Sequence, residues 1–170
     1  DWKLLASQIY QESRFDPTIE SWAGAQGLMQ VMPSTAAEIG EFNLKTPKDA
    51  IEAGISHIKQ IKQLYQDIPD SLERIKFTLA TYNAGQGHIA DARRLAEKHG
   101  KDPNIWTDHV DQYILLKSRK EYYSDPVVKY GFCRGEEPFN YVIDILKRYQ
   151  VYSDLFKEET NDDAVALGED

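Results

Sequence analysis

Apolar residues recur along this chain at spacings of three and four, and no segment alternates convincingly. That period belongs to helices rather than strands. In the first segment Leu5, Ile9 and Glu12 fall at i, i+4 and i+7, with Trp2 close to the same face. The spacing predicts a helix from about Asp1 to Arg14, closed by Pro17, and puts a carboxylate on its apolar stripe. Residues 18–33 lose the period. Gly24 and Gly27 loosen the backbone there, and Pro33-Ser34 opens a short helix ending near Gly40. Thr46-Pro47-Lys48-Asp49 is a start signal, with Thr as N-cap, Pro at N1 and Asp at N3. The helix it opens carries Ile51, Ile55, Ile58, Ile61 and Tyr65. Asp70 and Glu73 predict a capping box ahead of Ile75, Leu79 and Tyr82, stopped by Gly85. Further helices are expected from about His88 to His99, from about Asp108 to Arg119, and from Pro138 on, where Val142, Ile145, Leu146 and Tyr149 share a face. The expectation is one all-α domain over residues 1–156 and an acidic, disordered tail over 157–170.

Charge sharpens that boundary. Net charge is −8 over 170 residues, but the tail holds one Lys and six acids, net −5, leaving −3 on the rest. A near-neutral body without a basic stripe excludes the electrostatic footprint of a nucleic-acid binder. No run of 18 apolar residues exists, so no transmembrane segment is expected. Cys133 is the only cysteine and the four His are scattered, so neither an internal disulfide nor a metal site is predicted, and no cofactor. The chain opens at Asp1 directly on a helix and reads as a mature or excised piece of a longer protein.

Three stretches hold candidate chemistry. A buried Glu12 would be desolvated, which disfavours its charged form and makes a carboxyl fit to act as an acid near neutral pH. In "SWAGAQGLMQVMPSTA", residues 21–36, Met29, Gln30 and Met32 gather on an irregular segment. A Gln amide offers donor and acceptor and Met a soft apolar surface, the pair a cleft for N-acetylated sugars needs. In "ATYNAGQGHI", residues 80–89, Tyr82 lies on the apolar face with Asn83 behind it. A buried Tyr hydroxyl needs a partner, and Glu12 or a backbone carbonyl would serve.

"ES" at Glu12-Ser13, "GLMQVMP" at Gly27 to Pro33, "YNAG" at Tyr82 to Gly85, and Glu137-Pro138-Phe139-Asn140-Tyr141-Val142 resemble, in order and spacing, the motifs of the Slt-type lytic transglycosylases of bacterial cell walls. Together they span residues 1 to about 150. The segment "YYSDPVVKYGFCRGEEPFNYV" is most similar to membrane-bound members in which a periplasmic solute-binding-like domain precedes the catalytic one. The resemblance implies a lysozyme-like helical SLT domain that cleaves the MurNAc–GlcNAc β-1,4 bond of peptidoglycan glycan strands, in the periplasm and peripheral to the outer membrane. It implies Glu12 as the single acid and base, with Tyr82 hydrogen-bonding and orienting it. By the same resemblance Gln30 and Met32 contact sugar, and Ser21 lies near an acetamido group. Asn83, Glu137 and Tyr141 line or brace the cleft. Thr81 stands where Ala is usual, and Gln26 where a small residue is common. A goose-type lysozyme, a non-catalytic peptidoglycan-binding module and a purely structural helical domain are the alternatives. Asp16 and Glu20 are the nearby carboxylates a two-acid glycosidase would need, and Asp16 reads as turn chemistry before Pro17.

Overall fold

In the computed structural model the backbone is described for residues 1–166 and the side chains for 1–156. The expected acidic tail, 157–170, has its side chains outside the described residues. Eight helices are found among the described residues: α1 Trp2–Ser13, α2 Pro33–Ile39, α3 Pro47–Gln63, α4 Ser71–Ala84, α5 Gln86–Lys98, α6 Asp111–Leu116, α7 Lys120–Tyr123 and α8 Glu136–Ala166. The chain is all-α; the extended pairing found is two isolated bridges, Glu20 with Gln26 and Gln26 with Val31.

The caps follow local chemistry. Thr46 Oγ1 accepts from the Asp49 N–H at 3.4 Å, with Pro47 filling the first helical position of α3. Asp70 Oδ1 accepts from the N–H groups of Leu72 and Glu73. The reciprocal half of the expected capping box does not form. Glu73 turns away to pair with Lys76 at 2.6 Å and to accept from the Trp106 N–H at 2.5 Å, tying α4 to the segment that follows α5. The helix expected over Asp108–Arg119 is also broken. Thr107 is extended and Asp108 sits at φ 63, so the chain kinks within Trp106–Val110 before α6 begins, and α7 follows as a separate turn.

Two apolar clusters form. Phe77, Leu95, Ile114, Val142 and Ile145 belong to the larger, among α4, α5, α6 and α8. Ile9, Leu28, Met29, Val31 and Ala50 belong to the smaller, beneath the 19–32 loop. Tyr82 packs against both and so marks the seam. The α3 stripe is rotated from its expected place: Ala50, Ala53, Gly54 and Ile61 are buried, while Ile51, Ile55 and Ile58 are only partly so. The reason is Met29, whose side chain is wholly buried and lies where a Gly54 Cβ would stand, at 2.6 Å. Gly54→Ala should therefore displace Met29 and its loop, at about 1–3 kcal/mol. A thermal melt should show a Tm lower by several degrees.

Candidate active site

Glu12 lies in the last turn of α1, which leaves the helix through Arg14 and Phe15, both at positive φ. Its carboxyl is half-buried against α8. The Tyr141 hydroxyl donates to Glu12 Oε1, and Gln8 Nε2, one turn earlier on α1, donates to the Tyr141 oxygen at 3.1 Å. This chain of three fixes one carboxyl oxygen of Glu12. Burial pushes the Glu12 pKa up from 4.5, the Tyr141 hydrogen bond pulls it back, and the balance is about 7. Burial holds the Tyr141 hydroxyl well above an ordinary phenol, and the neighbouring Glu12 and Tyr82 add to the rise. The three groups therefore converge.

Tyr82 does not hydrogen-bond Glu12, correcting the role inferred from resemblance. Its hydroxyl donates to the Met29 carbonyl at 2.8 Å, the backbone alternative, while Tyr141 takes the orienting position. Tyr82 thereby pins the 19–32 loop to α4. Burial first, then the Glu12 charge, keeps its hydroxyl protonated. Met29 reaches the site through that carbonyl only, because its side chain is buried rather than presented to a ligand. Gln30 sits at φ 47, and its amide nitrogen donates to the carbonyls of Ile19, at 3.1 Å, and Gly27, at 2.9 Å. The side-chain donor is spent holding the loop shut. Ser21 Oγ accepts from the Ala25 N–H at 3.0 Å and closes a turn in the same loop.

A cleft of about 510 Å³ runs beside Tyr82, lined by Gln30, Met32, Thr35, His57, Asn83 and Gln86 among others. Gln30, Met32, Tyr82 and Asn83 are thus brought together. Glu137 is not. It is exposed on the first turn of α8, with Arg134 at 3.8 Å. Asp16 Oδ1 accepts from both the N–H and the hydroxyl of Thr18, the turn role expected of it. Thr81, the unusual residue before Tyr82, has a buried hydroxyl at 2.5 Å from that of Tyr65.

Two participants went unread in the sequence. Gln8 stands four residues before Glu12, so helical spacing alone puts it on the same face. His57 lies in the cleft wall, its ring 5.2 Å from that of Tyr82 and its Nδ1 buried without a hydrogen-bond partner. Burial lowers its pKa, against the opposing pull of Gln60 and Glu38, and so favours the neutral ring. Among the described residues no cluster of His, Cys, Asp or Glu could hold a metal ion, and no helix is long and apolar enough to cross a membrane.

The sequence profile of the transglycosylase SLT domain matches residues 1–105. The chain belongs to that family. Relatives called membrane-bound lytic murein transglycosylase F share 40% identity over 151 residues in Desulfosudis oleivorans, covering 89% of this chain and 33% of the relative. In Pseudomonas fluorescens they share 38% over 168 residues, covering 99% and 34%. This SLT domain thus spans about a third of the length of those relatives. The 70 kDa soluble lytic transglycosylase of Escherichia coli superposes with a TM-score of 0.56 at 23% identity, covering 92% of this chain and 22% of that one. The likeness shows the shared lysozyme-like fold.

Tyr141→Phe tests the orienting bond. Its hydrogen bond lowers the Glu12 pKa, so its loss should move the alkaline limb of the pH–rate profile upward. A limb that stays in place would show that the bond does not tune the acid. Gln8 would lose its acceptor, at a cost of about 1–3 kcal/mol.

Proposed function

We propose that this domain cleaves the β-1,4 bond between MurNAc and GlcNAc in peptidoglycan without consuming water, using Glu12 as acid and then as base. One observation carries the reading: the Glu12 carboxyl is desolvated to a pKa of about 7 and held by Tyr141, while Asp16, four residues on, is spent on a turn. A pKa near the working pH suits a group that must give and then take a proton. Protonated Glu12 donates to the glycosidic oxygen as the C1–O bond breaks, and the leaving GlcNAc departs with a free hydroxyl. The substrate's own N-acetyl oxygen supports the electron-poor C1. The C6 hydroxyl of the same MurNAc then bonds to C1 and gives its proton to the Glu12 carboxylate. The product ends in 1,6-anhydro-MurNAc, and Glu12 is protonated again. Tyr141 donates to the carboxylate throughout, which favours the charged form once the first proton has left.

The same reading places the substrate in the periplasm. The relatives are named membrane-bound and are about three times as long as this chain, which leaves room for the upstream solute-binding-like domain and the outer-membrane attachment that the motif resemblance implies. Mass spectrometry of soluble products from purified peptidoglycan tests the chemistry. Anhydro ends support the reading. Reducing MurNAc ends, heavier by one water, would replace it with a lysozyme-type hydrolysis and a second carboxyl to be found. Binding without products would leave a peptidoglycan-binding module.

A further inference from the structure

Asp91 and Lys117 form an ion pair at 2.6 Å with no exposed side-chain surface on either. Two charges so placed need a reason beyond core stability. Asp91 also accepts from the N–H groups of Lys129, at 2.8 Å, and Tyr130, at 2.9 Å. The pair therefore clamps the 129–130 backbone onto the middle of α5, one turn beyond Gly87. The Tyr130 ring lies over Gly87. A Cβ on Gly87 would meet ring atoms Cδ1, Cγ and Cε1 at 2.5–2.7 Å, so the ring packs directly on the helix at this position and a glycine is needed beneath it. Glycine here gives up helix propensity that alanine would supply. Yet the tyrosine itself stays 62% exposed. Two residues on, Phe132 is 53% exposed, held by an edge contact with Tyr123 at 5.8 Å. Gly85 and Gln86, which directly precede the glycine under Tyr130, line the cleft that holds Tyr82 and Gln30.

An exposed aromatic ring fixed on the residue that follows the cleft-lining Gly85 and Gln86 suits a pyranose. The negative face of the ring attracts the C–H groups that line one side of the sugar. From this juxtaposition we infer that Tyr130, with Phe132 beside it, is a stacking platform for sugar rings of the glycan strand beyond the bond being broken, and that the Asp91–Lys117 pair is its positioning device. The inference rests on the reading of the domain as a peptidoglycan-cleaving enzyme.

The test uses the 170-residue chain and glycan strands freed of stem peptides. Tyr130→Ala should raise KM on long strands about tenfold with kcat within about twofold, while Tyr130→Phe, which keeps the ring, restores the wild-type KM. Gly87→Ala, which lifts the ring without removing it, should act like Tyr130→Ala. Sedimentation with insoluble peptidoglycan gives the same comparison without turnover, and the alanine variant should bind about tenfold more weakly. Unchanged KM and binding in Tyr130→Ala would overturn the platform, and so would a loss in kcat shared by Tyr130→Phe. A wild-type chain that binds but does not cleave would count against the proposed function instead, and the binding comparison would still decide the platform.

Discussion

Glu12→Gln should yield a folded protein, more stable than the wild type at pH 8, that releases no soluble muropeptides. A general acid contributes about 10²–10⁴-fold. On the proposed mechanism one carboxyl serves as both acid and base, and the loss should reach roughly a thousandfold or more. The stability half of the prediction follows from the same burial. The folded-state pKa of Glu12 is raised from 4.5 to about 7, so the native state resists ionisation more than the unfolded chain does. The wild type therefore loses stability as pH rises through that window, and the loss is complete above it. The full difference is at most about 3 kcal/mol. Glutamine keeps a carbonyl to accept from Tyr141 and carries no charge to desolvate. Thermal melts should coincide near pH 4 and separate by several degrees at pH 8, the variant being higher. Melts that stay together at pH 8 would mean Glu12 is not desolvated as the structure has it. Retained lysis would remove it from the mechanism.

How much of this was legible in the sequence depends on the range of the interaction. The position of Glu12 on an apolar stripe, the caps at Thr46 and Asp70, and the turn at Asp16 are local, and local spacing finds them. The partner of Glu12 is not local. Tyr141 is 129 residues away, and only the packing of α8 on α1 decides that it, rather than Tyr82, meets the carboxyl. Hydrophobic period reports which face is buried, never which side chain stands opposite. Met29 shows a related limit: a methionine in a glycine-rich loop reads equally as cleft lining or filler. The gap above Gly54, which no spacing in α3 reveals, makes it filler. Asp91 and Lys117 were invisible for the same reason. On a helix surface an acid three residues before Arg94 reads as an ordinary solvated pair, and nothing in the sequence says that α6 will bring a lysine under it.

That pair supports the second large effect. Lys117→Met should destabilise the domain by about 3–5 kcal/mol at pH 7, because it strands a charge that Lys117 now neutralises. The loss is a sizeable part of the ~5–15 kcal/mol typical of a domain. Arg94 also contacts Asp91 but is partly exposed, whereas Lys117 is fully enclosed, with His88 Nδ1 at 3.0 Å as its other partner. Burial pushes Asp91 up, but Lys117 and the amides of Lys129 and Tyr130 outweigh it and hold the carboxyl below its ordinary value. A depressed carboxylate stabilises the fold above its unfolded-state pKa and loses that contribution as pH falls through the folded one. In the wild type, acid therefore removes what Lys117 gains from Asp91. In the methionine variant, acid relieves the stranded charge. The gap between the two proteins in urea melts should narrow as pH is lowered from 7 toward 3. A gap of constant size would assign the loss to the packing of the lysine stem rather than to its charge. In that case the 129–130 backbone would be held by the amide bonds to Asp91 alone.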